Sequence, residues 1–244
     1  MSASRGLPPT SPFARDDGSA DPVLAGVLAA HTAGRASVGD VVAALAGARV
    51  LVAILPHGRD AVPADVAARA AYEPAASRAA VIGMAAGDGR AAMPVFTSVA
   101  ALAAWRADAR PVPTAAAQAA RGALAEGWQV VVLDPAGPAP VRLPRPAVVA
   151  LAQGTAWRPA VRDGTVDDEV AAAIVSALTG IEALGACGIV PGARGEVAVE
   201  LAVRPGLDRA GLEAVVARVN QALAGDEIVA TRVDSLELRL RPAG

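Results

Sequence analysis

Two hydroxyl side chains, Thr97 and Ser98, stand in the stretch PVFTSVAALAAW, Pro94 to Trp105. The apolar residues before them predict the end of a strand, and VAALAAWR predicts a helix after them. A serine between a strand and a helix occupies the position of a hydrolase nucleophile, but the GxSxG frame of that motif is missing here. We therefore interpret Thr97 or Ser98 as the helix cap, whose side-chain oxygen accepts from the first helical turn.

Three further polar residues follow predicted strands and form, with Ser98, an alternative ligand-binding or enzymatic site. His57 in ILPHGRD comes after the end of a strand, and Asp60 is near enough in sequence to orient its imidazole. Asp134 in LDPAG stands at the end of another apolar run. Each also has a plainer interpretation, His57 as a surface side chain and Asp134 with Pro135 as part of a turn. Both interpretations stay open from the sequence.

The chain contains no Lys, since all 22 of its positive side chains are Arg. A phosphate-binding loop of the form GxxxxGKS or GxxxxGKT, a protein kinase and a pyridoxal enzyme each need a Lys at the reacting group, so these three classes are excluded. The glycines of GMAAGDGR do not fulfil GxGxxG and precede a strand, which favours a hairpin turn over a dinucleotide site. We therefore expect no cofactor.

A single cysteine, Cys187, excludes an intramolecular disulfide and a multi-cysteine metal site. Its apolar surroundings, GACGIV, predict a buried and unreactive thiol because no cation or His that would favour the thiolate is near in sequence. The two His and the scattered carboxylates lack the spacing of metal ligands, so no metal site is predicted. Helix capping and the helix dipole explain the acidic cluster of Asp167, Asp168 and Glu169, to which we assign no catalytic pairing.

The charge and hydropathy of the chain limit its surroundings. A net charge of −2 and an isoelectric point near 5.7 argue against a broad nucleic-acid-binding surface. Asp40 and Glu182 interrupt the longest apolar windows, which argues against a membrane span. The N-terminal residues have no apolar core of a secretory signal, so we expect a cytoplasmic protein.

We predict a mixed α/β domain over residues 21–154 that positions these residues. A predicted disordered tail over residues 1–20 precedes it. Two short helices capped by Asp21 and Ser37 begin it, and ARVLVAILP predicts a strand covered on both faces. A long loop, HGRDAVPADVAARAAYEPAAS, and a hairpin turning at GDG precede the stretch that contains Thr97.

Four more elements complete this predicted domain. Val99, Leu102 and Trp105 have helical spacing and predict an inward-facing stripe. ARPVP predicts a short extended segment, TAAAQAARGALAEG a helix capped by Thr114, and WQVVVLDP a buried strand. VRLPRPAVVALAQG adds a short strand and a helix.

A turn-rich linker over residues 155–165 separates a predicted second domain over residues 166–244. Its element order is αββαβ, which predicts a small α+β layer with an antiparallel or mixed sheet. Val197, Val199, Leu201 and Val203 alternate along EVAVELAVRP and predict one buried strand face. The fold class is therefore α/β (α+β).

The PxFTS junction, the Trp in the helix after it, and the apolar strand ending in an Asp-Pro turn together resemble the N-terminal domain of the SseB family, named for enhanced serine sensitivity. The residues that carry this resemblance are Pro94, Phe96, Thr97, Ser98, Trp105, Asp134 and Pro135. It covers about residues 20 to 153, and the segment from about 155 onward is similar to the family's αββαβ C-terminal domain. The resemblance implies no established activity, cofactor or catalytic residue.

We therefore expect a bacterial, two-domain, cytoplasmic protein that acts as a non-enzymatic protein-binding or adaptor module. The expected partner is a protein, another copy of the chain included, because the strand edges of an αββαβ domain are open to pairing. The alternative is a small-ligand-binding protein or enzyme that uses His57, Asp60, Ser98 and Asp134.

Overall fold

A computed structural model defines the fold over residues 12–13, 15–56, 79–81, 83–86 and 89–243. The chain divides into two compact units, residues 1–156 and residues 157–244. Each unit combines helices with a sheet, so the predicted fold class is confirmed. The predicted loop after β1, with His57 and Asp60, lies outside the described residues.

Five helices and seven strands make up the described part of the first unit. The helices are α1 (Pro22–Thr32), α2 (Val38–Leu45), α3 (Val99–Trp105), α4 (Ala116–Ala125) and α5 (Arg145–Gln153). The strands are β1 (Arg49–Pro56), β2 (Ala79–Val81), β3 (Met84–Ala85), β4 (Ala91–Phe96), β5 (Arg110–Ala115), β6 (Val130–Leu133) and β7 (Val141–Leu143).

The strands form one mixed sheet with the order β2-β1-β4-β6-β7, to which β3 adds beside β4 and β5 beside β1. Only the pairing of β4 with β6 is parallel among these described strands. It brings the ends of β4 and β6 to the same edge of the sheet, with Val95 opposite Leu133. The sheet thus places the two halves of the PxFTS and LDP pattern side by side.

Local sequence signals account for the two N-terminal helices and for the hairpin. Asp21 accepts from the backbone N–H groups of Val23 and Leu24, and Ser37 accepts from the Asp40 N–H, so both predicted caps are confirmed. The Asp40 side chain also accepts from the Ser37 N–H, which completes a capping box. The β3–β4 hairpin is confirmed, although Gly87 and Asp88 of its turn lie outside the described residues. The preceding strand, β2, pairs with β1 rather than with β4.

Two predictions about side chains in this unit are wrong. Thr114 does not cap α4, because pairing with β1 continues through Ala115 and keeps Thr114 in strand β5 opposite Val50. Helix α4 begins at Ala116 without a side-chain cap. Val99 is 42% exposed and lies outside the inward stripe, whereas Leu102 is buried and Trp105 is half-buried.

The second unit contains the predicted αββαβ order and some additional elements. Its described elements are β8 (Val161–Arg162), β9 (Thr165–Val166), α6 (Asp168–Leu178), β10 (Leu184–Pro191), β11 (Val197–Val203), α7 (Arg209–Gly225), α8 (Glu227–Arg232) and β12 (Leu236–Pro242). The hairpin of β8 and β9 falls at the end of the predicted linker. Helix α8 is not predicted, because it is short and follows α7 directly.

Strand β11 is the centre of a three-stranded sheet with the order β10-β11-β12. It pairs antiparallel with β10 and parallel with β12, so the sheet is mixed. The predicted buried face of Val197, Val199, Leu201 and Val203 is confirmed and packs against helices α6, α7 and α8. The chain from β11 to β12 runs through α7 and α8, as a parallel connection requires.

Candidate functional site

Asp134 and Thr97 join the ends of the parallel strands β6 and β4. The Asp134 Oδ1 atom accepts from the Thr97 backbone N–H at 2.9 Å, and Oδ2 accepts from the Thr97 hydroxyl at 2.7 Å. Asp134 adopts a positive φ of 48°, which Asp tolerates better than most residues. This geometry turns the chain at the end of β6 and aims both carboxylate oxygens at Thr97.

The other residues of the PxFTS pattern are packed or capped. Ser98, rather than Thr97, is the cap of α3, since its Oγ accepts from the Ala101 backbone N–H at 3.1 Å. Phe96 is fully buried and its ring centroid lies 5.3 Å from that of half-buried Trp105. Pro94 is buried in β4, opposite Val132. The pattern therefore marks a fixed junction between a strand and a helix.

Arg49 connects this junction to residues 16–19. Its guanidinium donates to the Thr97 carbonyl oxygen at 2.9 Å, to the Ser19 carbonyl oxygen, and to Asp16 Oδ1 at 2.7 Å. The Arg49 Nε atom also lies 2.6 Å from Asp16 Oδ2, in an ion pair that is largely shielded from water. The four contacts hold the Arg49–Asp16 ion pair against the backbone of the junction.

Residues 15–20, which belong to the predicted disordered tail, are therefore held on the first unit. The Val99 backbone N–H donates to the Gly18 carbonyl oxygen at 2.9 Å. Gly18 has a φ of +77°, and a Cβ atom at this position would lie 2.6 Å from Val99 Cγ2. Glycine is thus required by both the backbone conformation and the close approach to Val99.

The residues of the alternative ligand site are only partly described. His57 and Asp60 lie outside the described residues. Ser98 and Asp134 each accept hydrogen bonds from backbone groups of the junction. An apolar void in the first unit, about 10 Å³ in volume, has room for no more than one water molecule. None of these observations shows a substrate-sized site.

Metal and membrane sites receive no support from the part of the chain that the structure describes. Among the described residues, no three side chains of His, Cys, Asp or Glu are grouped so that they could hold a metal ion. No described helix combines the length and the apolarity needed to cross a bilayer.

The edge strand β10 is the distinctive surface of the second unit. The Val197 backbone N–H points to β12, where it donates to the Ser235 carbonyl oxygen at 3.2 Å, whereas the Arg204 N–H points to β10 and donates to the Ala183 carbonyl oxygen at 2.9 Å. Hydrogen-bonding groups alternate in direction along a strand. The even-numbered residues of β11 therefore bond to β10, and their partners there are Ala186, Gly188 and Val190.

The backbone groups of Cys187 and Ile189 consequently point away from the sheet. No hydrogen bond from these N–H groups to another described residue closes this edge. Pro191, which has no N–H, occupies the next outward-facing position. From Leu184 to Pro191 the strand has no charged residue. The outer edge of β10, residues 184–191, is an uncharged row of backbone groups that face away from β11, and we call it the β10 edge. Strand β9 also contacts β10, without a backbone hydrogen bond to Cys187 or Ile189.

The side chains of Cys187 and Ile189 pack against the core cluster of the second unit without being fully buried. Burial raises the pKa of the Cys187 thiol, so the neutral thiol is favoured. The prediction of an unreactive thiol is supported by this direction, although Cys187 is half-buried rather than buried.

The opposite edge strand, β12, carries charges. Arg239 donates to Glu237 at 3.0 Å and to Glu200 at 3.2 Å. Glu237 also accepts from the backbone N–H groups of Ala193 and Arg194. The hydrogen bond from Arg239 and these backbone bonds lower the pKa of Glu237 from 4.5 to about 2. Strand β12 therefore carries charged side chains that form ion pairs.

Two Arg residues form ion pairs with the acidic cluster at the start of α6. Arg232 donates to Asp167 and Glu169 at 2.9 Å, and Arg158 lies 3.0 Å from Glu169. The hydrogen bond from Arg232 lowers the pKa of Asp167, which also caps α6. The cluster thus adds ion pairs to the predicted capping. Nearby, burial raises the pKa of Glu196, whose carboxylate accepts from the Asp234 N–H at 2.7 Å.

Sequence reasoning missed three features of the junction in the first unit and of the sheet in the second unit. It named Thr97 and Asp134 but did not join them, because 37 residues separate them and only the parallel pairing of β4 with β6 brings them together. It overlooked Arg49, although a cation at the start of an apolar strand is a signal for a specific partner. It also did not identify which edge strand of the second unit is open.

Comparison with known proteins identifies the first unit. The family model described as SseB protein N-terminal domain matches residues 24–150, which include every residue of the PxFTS and LDP pattern. No match was found among curated proteins or among solved structures. The similarity of residues 166–244 to the family's C-terminal domain stays a prediction. By its N-terminal domain, with the Thr97–Asp134 junction at its centre, the chain belongs to the SseB family.

Proposed function

We propose that this SseB-family chain is a cytoplasmic, non-enzymatic protein-binding module that accepts a strand of a protein partner at the β10 edge. The observation that carries the proposal is the row of outward-facing backbone groups at Cys187 and Ile189. Exposed strand edges bind extended segments by adding them to the sheet, with main-chain hydrogen bonds supplying affinity.

The contrast with the edge strand β5 of the first unit supports this proposal. The Ala116 N–H donates to the Ala48 carbonyl oxygen, so the even-numbered residues of β1 bond to β5. The outward-facing positions of β5 are then Pro111, Pro113 and Ala115, of which two are proline. Proline has no N–H to offer a neighbouring strand and is a common means of protecting an edge. The β10 edge has proline only at its last outward-facing position, Pro191, and it lacks the charges of β12.

A binding role also fits the state of the polar residues in the first unit. The carboxylate of Asp134 and the hydroxyl groups of Thr97 and Ser98 are engaged in hydrogen bonds that fix the junction. The role of these side chains in this arrangement is structural. The alternative of a ligand site near His57, Asp60, Ser98 and Asp134 has no observation in its favour among the described residues.

Site-specific photo-crosslinking tests the proposal. A photoreactive amino acid replaces Ala186, which is exposed on β10, in the full chain expressed in its native cells. The matched control carries the same group at Val112, which is 37% exposed on the proline-protected strand β5. We expect a protein adduct at position 186 and none at position 112.

The charge variant Ala186→Lys should abolish binding of the partner so identified, because a charged side chain protects an edge against pairing. The control variant Val112→Lys should leave that binding unchanged. Absence of any protein adduct at position 186, or binding that is insensitive to Ala186→Lys in a folded chain, contradicts the proposal.

A further inference from the structure

We infer that the strand that pairs with the β10 edge is β10 of a second copy of the same chain, in an antiparallel homodimer. The inference rests on the proposed function and specifies its partner. Two copies of one edge meet in a closed two-fold interface, in which the same patch of each subunit contacts the other.

The composition of β10 permits self-pairing. Like charges directly opposite each other destabilise a strand pair, and β10 has no charge between Leu184 and Pro191. A head-to-tail arrangement of β10 on β12 would instead join unlike edges and leave one of each open, which leads to open chains of subunits. Pairing of β10 with itself closes after two copies.

The side chains on the helix-covered side of β10 provide matching apolar surface. Leu184, Cys187 and Ile189 contact the core cluster yet remain partly exposed. A second β10 would cover them with the same three side chains from the partner. The burial that one subunit leaves incomplete is thus supplied by an identical strand.

Helix α6 offers a second, independent apolar contact beside this edge. Glu169 binds Arg232 of α8, which defines the flank of α6 that faces α8. Ala171 lies about 200° further around the helix and Val175 follows one turn later, since successive residues are about 100° apart. Val175 is 48% exposed. This flank, on the side away from α8, would meet α6 of the second copy across the two-fold axis.

The outward-facing groups restrict the register of the pair. Cys187 and Ile189 must bond to outward-facing groups of the partner, which are Cys187, Ile189 and Pro191. Pro191 has no N–H to donate, so the favoured registers place Cys187 opposite Cys187 or Ile189 of the partner subunit. In either of these two registers the thiols are within about 8 Å of each other and on the same face. The single Cys of each chain therefore reports on this interface without an engineered cysteine.

Mass measurement of the full chain by sedimentation and light scattering is the first arm of the test. We expect a concentration-dependent species of twice the 24.2 kDa chain mass. Val175→Glu should weaken association at least tenfold by placing like charges across the axis. The matched control, Val23→Glu, changes the same residue type on helix α1, where Val23 is 67% exposed, and should leave association unchanged.

Two local readouts form the second arm. A short bis-maleimide should join two wild-type chains through Cys187 and should fail to do so in Val175→Glu at the same concentration. The backbone amides of Cys187 and Ile189 should exchange slowly with solvent in the dimer and rapidly on dilution. If the thiol does not react, the amide exchange decides.

The outcomes separate this inference from the proposed function. A chain that is monomeric at all concentrations, or a dimer whose Cys187 and Ile189 amides stay unprotected, overturns the homodimer. If such a chain still gives an adduct with a different protein at position 186, the proposed function stands with another partner. If no adduct forms there, both fail.

Discussion

The edge strands β5 and β10 differ in what they offer to a neighbouring chain. Two of the three outward positions of β5 are proline, Pro111 and Pro113, while those of β10 include the N–H groups of Cys187 and Ile189. The first sheet thus offers few N–H groups to a neighbouring strand at β5, and the second offers two at β10. The comparison teaches that the family-defining junction and the proposed binding surface lie in different units. Substitutions at the junction should change stability, and substitutions at the β10 edge should change association.

The largest effect is expected from Asp134→Ala. It removes two hydrogen bonds to Thr97 and places Ala at a positive φ, so the free energy of unfolding should fall by about 1.5–3 kcal/mol. Chemical denaturation measures the change, and the mass of the folded variant should equal that of the wild type. Asp134→Asn, which keeps an acceptor and tolerates the backbone conformation, should lose less. A loss below about 0.5 kcal/mol would show that the junction depends on other contacts.

Gly18→Ala should have an intermediate effect. The added Cβ would lie 2.6 Å from Val99 Cγ2, in a residue that also has a φ of +77°. Gly34→Ala is the matched control, because Gly34 has a φ of +69° and nothing within 4 Å of a built Cβ. We expect about 1 kcal/mol from the backbone conformation in both variants. Gly18→Ala should add a further loss, together with faster exchange of the Val99 amide.

A second substitution at Val99 checks the cause of that further loss. Val99→Ala shortens the side chain that the new Cβ would meet, so the double variant with Gly18→Ala should recover the difference from Gly34→Ala. If Gly18→Ala and Gly34→Ala lower the free energy of unfolding by the same amount, the contact of residues 16–19 with Val99 does not contribute to stability.

The smallest effect concerns the pH dependence of the charged strand β12. The pKa of Glu237 is lowered from 4.5 to about 2 in the folded chain, so the unfolded chain binds this proton more readily. The stability from Glu237 is therefore present above about pH 4.5 and is lost as the pH falls toward about 2. Glu237→Gln should reduce the change of the free energy of unfolding with pH in this window. Thermal denaturation at several pH values measures this change.

Glu196→Gln is a matched substitution with the opposite expected sign. Burial raises the pKa of Glu196, so its charged form opposes folding once the pH exceeds its folded pKa. The amide retains an oxygen that can accept from the Asp234 N–H. The Gln variant should therefore be at least as stable as the wild type at pH 7.

The Glu237 prediction has its own contradicting outcome. If the free energy of unfolding depends on pH in the same way for Glu237→Gln and wild type, the role assigned to the Arg239 ion pair is wrong.

The sequence predicts the elements of this fold better than their pairing. Asp21 and Ser37 cap the helices that they were predicted to cap, because capping is local. The alternation from Val197 to Val203 predicts a buried face, because a strand has a period of two. Thr114 misleads, since pairing of β5 with β1 decides its conformation and a local cap signal does not.

The candidate surfaces depend on contacts that no local pattern encodes. The Asp134–Thr97 hydrogen bonds and the binding of Asp16 by Arg49 both span more than 30 residues. The open edge of β10 follows from the order of three strands and from which residues of β11 face it. Composition alone indicates that β10 lacks charge, but only the sheet order makes that absence relevant to association.

The parallel pairing of β11 with β12 also orders events during synthesis. β11 can pair with β10 as soon as both have left the ribosome, since a short turn connects them. β12 can join only after the chain has continued through α7 and α8. For the time needed to translate those helices, β11 is itself an edge strand and its apolar face lacks two of its covering helices. The nascent second unit therefore exposes apolar strand surface during that interval, and slower translation of α7 would prolong the exposure.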